Sequence, residues 1–348
     1  LDILYLDFLF PKGHLNLDIN QIDRLSKIGD VTILSCNDRY KSIPFKARLI
    51  ESKYLNVPYG KIKTRVTSLK NMFITSIMAR KIKRDCIFVS SFDTLMFSLG
   101  RFFFRKEDKI FLVHHFNTDE LKQPIKSALF KSYMNKVEHI VFAEFIKNHL
   151  ISKYKISPKR VHVIPHHMVT INNSNTFRKF DCVGLSNSND QDIIEEIIKL
   201  EKAEGIIKRA EKRVILKSKS TEFDNGYLKV INGFIERTQY DNYMENARSI
   251  YMPFPNSFQN RMSGTLIDAL SNDKVVYGSD IPVVRYYSNK YPGICNVINN
   301  ADDFFKLIVE NSQNNKSNFT FDKFKEDHSN ELIEKGMTNL LKFEGRSR

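Results

Sequence analysis

No stretch of this 348-residue chain is apolar for long enough to cross a bilayer, and nothing at its start has the layout of a secretion signal. The first residue is Leu1 rather than Met, so the native start is expected to lie upstream or to have been removed. Cysteine is scarce. Cys36, Cys86, Cys182 and Cys295 are far apart, each in an apolar, strand-like setting, and none has metal-ligand spacing. That excludes a disulfide framework and a zinc motif, and it predicts reduced core thiols in a cytoplasmic protein. Acidic residues are also in short supply: 40 Asp and Glu face 54 Lys and Arg, a formal charge of +14. A surface this basic attracts nucleic acid, anionic lipid or a polyphosphate-bearing substrate, and composition does not choose among them.

The length exceeds one typical core, so two domains are expected. Leu1–Phe8 reads as a buried strand, followed by the turn Pro11-Lys12-Gly13-His14. Leu15, Ile19, Ile22, Leu25 and Ile28 then recur at helical spacing, and Val31–Leu34 is a second strand. Strand–helix alternation continues to Val161–Ile164, which predicts a parallel sheet covered by helices. The basic region Arg39–Lys63 has no readable element. An Asn-rich linker lies between Met168 and Phe180, after which the alternation restarts and runs to Asp302–Glu310. The predicted fold is α/β: two doubly wound Rossmann-like domains, 1–168 and 169–318, facing an interdomain cleft. The tail, 319–348, is expected to be helical and to pack back on the first domain.

The most informative stretch is Ser249–Asp280, which reads as strand, polar loop, helix, strand. Ser263-Gly264-Thr265 opens a helix whose apolar residues Leu266, Ile267, Ala269 and Leu270 have helical spacing. A small-residue helix start is an anion site, because unpaired N–H groups and the positive dipole end point outward. Arg261, just before it, can add a bidentate charge for phosphate, and Asp268, one turn in, can accept from ribose hydroxyls. By itself Ser263 reads equally well as an N-cap and Asp268 as a solvated residue.

Taken in series, these segments resemble the two-domain GT-B glycosyltransferases, especially those of bacterial polysaccharide and lipid-linked glycan synthesis. The segment IKNHLISKYKISPKRVHVIPHH resembles the close of that family's first domain, and FDCVGLSNSND the opening of its second. The run INGFIERTQYDNYMENARSIYMPFPNSF…GTLIDALSNDKVVYGSDIPVV resembles its donor-binding core. The resemblance implies a transferase that moves a sugar from a nucleotide-diphosphate sugar to a glycan or lipid-linked acceptor, without cofactor or obligatory metal. It implies donor contacts from Arg261, Ser263, Gly264, Thr265 and Asp268, with Asn260 where retaining members carry a Glu. The loop Ser186–Asp190 lacks the family's Arg and Lys, for which Arg261, Lys217 or Lys219 can substitute.

In the family a His at the first-domain strand end contacts the donor sugar. Alternation lets one of His114 and His115 face that way, and His114 is preferred. His14, Asp119 and Glu120 are further candidates for acceptor contact or general base, and Gly233–Ile235 is a family expectation for the base. His166 and His167 resemble a metal pair but lack companion ligands. Asp190-Gln191-Asp192 has the Asp-x-Asp form, yet Asp190 fits an N-cap better. Basic and aromatic residues interleave in 72–84, 100–109 and 121–136, so peripheral contact with an anionic membrane at the inner face of the cell membrane is a further expectation. Two rival readings stand: a basic nucleic-acid-binding protein, although its basic residues are dispersed and no such motif is present, and a sugar-nucleotide epimerase on the same architecture.

Overall fold

The computed structural model describes residues 1–10, 14–36, 39–40, 46–56, 61–171, 178–310 and 321–342, excepting the side chains of 61–65. The expected turn at 11–13, the middle of the linker and the ends of the tail lie outside these. The chain forms two compact units, Leu1–His167 with Asn260–Met262 and Asn330–Arg348, and Met168–Gln259 with Ser263–Ser329.

In the first unit the elements are β1 (Asp2–Asp7), α1 (Leu15–Ser26), β2 (Asp30–Cys36), β3 (Arg48–Ser52), α2 (Lys61–Ala79), β4 (Cys86–Ser91) and α3 (Thr94–Gly100). They continue with β5 (Lys109–Val113), α4 (Asn117–Glu120), α5 (Pro124–Lys131), β6 (Glu138–Val141), α6 (Glu144–Tyr154) and β7 (Val161–Val163). The seven strands are parallel in the order β3-β2-β1-β4-β5-β6-β7. Such strands are buried on both faces, which is why β1 and β4 read as nearly unbroken apolar runs. Alternation splits them between two cores. Leu4, Leu6 and Leu112 pack with Met72, Phe97, Phe130 and Ile146 of α2, α3, α5 and α6. Ile3, Tyr5, Phe111 and Val113 pack with Leu17, Ile22 and Leu25 of α1 on the other face.

The second unit holds β8 (Phe180–Gly184), α7 (Gln191–Glu204), α8 (Ile206–Arg209), β9 (Val214–Ser218), β10 (Phe223–Asp224), β11 (Leu228–Asn232), α9 (Arg237–Asn246) and β12 (Ala247–Met252). Then follow α10 (Gly264–Ser271), β13 (Val275–Gly278), α11 (Pro282–Lys290), β14 (Cys295–Val297), α12 (Ala301–Glu310) and α13 (Asp322–Asp327). The sheet order is β10-β11-β9-β8-β12-β13-β14, parallel except at the β10–β11 edge. The last helix, α14 (Asn330–Lys342), belongs to the first unit. Its Ile333, Met337, Leu340 and Leu341 join the α1 face, and Arg24 and Lys27 of α1 bond to Asn330 and Glu334.

Several elements depart from the sequence reading, among them the short edge strand β10 and helix α13, which belongs to the second unit although the tail from 319 was expected on the first. The charged segment 193–210, helical by its pattern, is two helices, because Gly205 takes the left-handed conformation (φ +59°) and ends α7. Buried Glu201 then caps α8, accepting from the N–H groups of Ile207 and Lys208 at 2.7 and 3.1 Å. Strand β3 lies in the region without a readable element, at the sheet edge. Helix α11 was also not anticipated; it starts on Pro282, whose missing N–H costs nothing at that position.

Candidate active site

In an open parallel sheet, ligands bind beyond the carboxyl ends of the strands where the winding reverses. In the second unit that point lies between β8 and β12. Gly184 is required there by packing: a Cβ would stand 2.9 Å from the Tyr251 carbonyl oxygen. The loops after the two strands are tied by Asp190 N–H donating to the Pro253 carbonyl at 2.6 Å. Buried Asn189 donates to the carbonyls of Gly184 and Lys217, both at 3.0 Å. Asp190 caps α7 by accepting from Asp192 N–H at 3.1 Å, as its position suggested.

Helix α10 leaves β12 beside this point. Ser263 is its N-cap, accepting from Leu266 N–H at 3.3 Å. Gly264 is exposed, with nothing within 4 Å of where a Cβ would stand. The first N–H groups of a helix have no partner within it, so this opening presents donors and a positive dipole end to open space. One turn along, Asp268 accepts from the Tyr240 hydroxyl at 3.0 Å. Burial raises its pKa to about 6, against the opposing pull of Arg237 and of the Tyr240 bond. Tyr240 and Arg237, both from α9, were not anticipated.

Lys217 has a different partner from the diphosphate assigned to it. It is buried at the end of β9, and its amino group donates to the Gly233 carbonyl. Burial lowers its pKa. The backbone N–H of Lys219 donates to Gln191 Oε1 at 2.6 Å.

Arg261 and Asp119 were assigned separate roles and are found together. Residues 260–262 belong to the first unit, where Arg261 Nε lies 3.2 Å from Asp119 Oδ2. Asn260 N–H donates to Asp119 Oδ1 at 2.7 Å, and its carbonyl accepts from the Thr118 hydroxyl. Asp119 therefore holds this segment rather than standing as an open base. Glu120 is paired with Lys126 at 2.6 Å, which also reaches Asp93 at 3.2 Å.

The preference for His114 over His115 is corrected. Strand β5 ends at Val113, and alternation sends His114 to the same core as Leu112. There it is fully buried against Phe92 and Phe130, its Nε2 2.9 Å from His139 Nδ1. His115 faces the other way. Its Nε2 donates to the Ser90 carbonyl at 2.8 Å, and its ring lies 4.4 Å from that of His14, the N-cap residue of α1. Phe142 continues the row at 5.2 Å from His115 and 5.2 Å from His166, which stacks on His167 at 4.8 Å. Burial keeps these imidazoles neutral: His14 and His115 are pushed below the usual range, His166 to about 4 and His167 to about 2. His14 Nδ1 has no hydrogen-bond partner. Among the described residues, no group of three or more His, Cys, Asp or Glu side chains can hold a metal ion.

The first sheet reverses between β1 and β4, and here lies a cluster that escaped the sequence reading. Asp7 accepts from Leu9 N–H, Phe10 N–H and the Ser91 hydroxyl. Asp18 accepts from the hydroxyls of Tyr5, Ser90 and Tyr40 at 2.9, 3.1 and 3.2 Å. Both carboxylates share one cation: Arg39 Nη2 lies 2.8 Å from Asp18 and 3.3 Å from Asp7. Burial and Asp18 push the Asp7 pKa up to about 6, with Arg39 opposing. The available signals were a carboxylate ending an apolar strand and another on the apolar stripe of α1, three residues after Leu15.

Comparison of the sequence finds no matching family model and no matching curated protein. Solved structures match over nearly the whole chain. A glycosyltransferase from Rickettsia africae ESF-5 superposes with a TM-score of 0.64 at 13% identity, covering 100% of this chain and 99% of that one. UGT89C1 of Arabidopsis thaliana, complexed with UDP-L-rhamnose, gives 0.63 at 12% identity, covering 98% of each chain. The UDP-GlcNAc 2-epimerase of Methanocaldococcus jannaschii, in complex with UDP-GlcNAc and UDP, gives 0.62 at 16% identity, covering 98% of this chain and 99% of that one. Two seven-stranded doubly wound sheets in this connectivity, and these similarities, establish that the chain has the GT-B fold.

Proposed function

We propose that this protein is a glycosyltransferase that takes a sugar from a nucleotide-diphosphate sugar and passes it to a glycan or lipid-linked acceptor in cell-surface polysaccharide synthesis. The observation that carries this reading is the opening of α10, with exposed Gly264 facing open space and the Asp268–Tyr240 pair one turn further. In this reading the diphosphate sits on the α10 N–H groups, and the dipole end of the helix meets the charge that develops as the sugar leaves. Asp268, ionised above about pH 6, accepts from the ribose hydroxyls. In the first unit, neutral His14 takes the proton of the acceptor hydroxyl, and the nearby Asp7 carboxylate favours the imidazolium that results. No cofactor or obligatory metal enters the scheme.

An epimerase is the second reading, favoured by the similarity to UDP-GlcNAc 2-epimerases at TM-scores of 0.60 and 0.62. Thermal shift against UDP, GDP, TDP, CMP and ADP tests the donor site. UDP comes first because two of the superposed structures, UGT89C1 and the Methanocaldococcus jannaschii epimerase, were solved with UDP compounds. A nucleoside diphosphate at 100 times its Kd stabilises by about 2.7 kcal/mol, and Asp268→Ala removes about half of that gain or more. If no nucleotide raises the melting temperature, the donor site is wrong. Release of nucleotide only when acceptor is supplied identifies a transferase; a change of sugar configuration without acceptor identifies an epimerase.

A further inference from the structure

From Ser52 to Arg84 the chain carries nine Lys and Arg and no Asp or Glu. Helix α2 runs through this stretch. Its inner residues, Met72 and Ala79, are in the core, while Val66, Lys70 and Ile77 are exposed and fall within one stripe at helical spacing, with exposed Lys81 in the turn that follows. Two neighbours on the same side of the sheet add to it. The turn after α3 packs on α2 through Phe73 and Phe103, whose rings lie 5.2 Å apart, and the Phe103 carbonyl accepts from Arg80. This places Leu99 and Phe102, which are 45% and 69% exposed, beside the α2 stripe. Arg101 lies over the Phe102 ring at 4.4 Å, and Arg105 Nη2 donates to the Arg80 carbonyl at 2.7 Å. Helix α5, packed on α3, contributes Ile125, 71% exposed.

Large apolar side chains held at the tips of a helical layer, ringed by cations, satisfy two requirements of interfacial lipid binding. The nearby acids are mostly engaged, Asp85 by the Asp2 N–H, Asp108 by buried Arg84, and Asp93 and Glu120, beside Ile125, by Lys126; Glu107 is an exposed acid at the edge. A second copy of the chain fits poorly, because a two-fold contact sets the patch against itself and opposes like charges. A nucleic acid fits less well than lipid, since Val66, Ile77, Leu99 and Ile125 are aliphatic and offer phosphates and bases nothing. We propose that this face of the first unit docks on an anionic bilayer, with Phe102 and Ile125 entering the headgroup region and the surrounding Lys and Arg on lipid phosphates. The surface is independent of which nucleotide the second unit takes.

Co-sedimentation of the full chain with vesicles of phosphatidylcholine, alone or mixed with phosphatidylglycerol, tests this. The chain is expected to pellet with the mixed vesicles and to be released by salt. Lys70→Ala with Lys81→Ala lowers partition roughly 25-fold, since each cation near the surface contributes about a factor of five. Phe102→Asp with Ile125→Asp abolishes binding without lowering the melting temperature, whereas Phe234→Asp, at an equally exposed aromatic of the second unit, changes nothing. Failure to pellet with mixed vesicles overturns the proposal, as does equal binding to phosphatidylcholine alone or unchanged binding by the Phe102/Ile125 variant. Self-association, or duplex RNA binding, that this variant removes while vesicles leave the wild type in solution reassigns the face to that partner.

Discussion

Replacing Arg39 by Met tests the buried cluster of the first unit most directly. The side chain is 7% exposed and Asp7 and Asp18 are 1% exposed each, so solvent does little to screen the three charges. Met keeps most of the volume and removes the cation, the bond to the Phe10 carbonyl at 3.0 Å and the contacts over Phe10 and Tyr40. Removing one partner from a buried ion pair costs about 3–5 kcal/mol, because the remaining charge has no compensation. For a unit of this size that corresponds to a fall in Tm of roughly 6–20 °C. The pH dependence has a definite sign. Asp7 already binds its proton more tightly in the fold, at about 6 against an ordinary carboxylate value of 3.8. Without Arg39, burial and mutual repulsion push both carboxyls higher, so the folded state holds more protons than the unfolded one. Stability of the variant must therefore rise as pH falls from neutrality toward the unfolded carboxylate range, and its deficit at pH 5 must be smaller than at pH 7.5. Urea titrations followed by circular dichroism at the two pH values measure this. A deficit below about 1 kcal/mol at pH 7.5, or one that does not shrink at pH 5, refutes the reasoning.

Four further outcomes are expected. Asp268→Asn weakens binding of the preferred nucleoside diphosphate about 10- to 150-fold by calorimetry, the range of a hydrogen bond to a charged acceptor. In the wild type the affinity falls below about pH 6 as Asp268 protonates, and Tyr240→Phe moves that inflection upward because the phenol bond stabilises the ionised form. His14→Ala lowers kcat roughly 10²- to 10⁴-fold if His14 is the base, while His114→Ala acts on Tm and leaves nucleotide binding unchanged. Ser263→Ala, by removing the N-cap of α10, lowers stability by about 1 kcal/mol, whereas Ser263→Gly costs only a few tenths.

Local pattern was enough for much of this molecule. Alternating apolar strands and amphipathic helices announced two parallel sheets, and the periodicity after Ser263 announced α10 with its cap. The N-cap role of Asp190 and the buried, unpaired state of all four cysteines were legible too. These features depend on residues within a few positions of one another, where helix and strand periods act directly. Partnerships across the sheet were not legible. Asp119 meets Asn260 from 141 residues away, and Arg261 beside it, and Arg39 meets Asp7 and Asp18 only because α1 and the segment after β2 gather at the reversal between β1 and β4. The choice between His114 and His115 turned on one residue of register, since alternation sends neighbours to opposite cores. Sequence by itself determined which segments form strands and helices and which side of each is apolar. Tertiary structure alone decided which charges face one another, because strand order and strand ends set those distances and neither is written in any single segment.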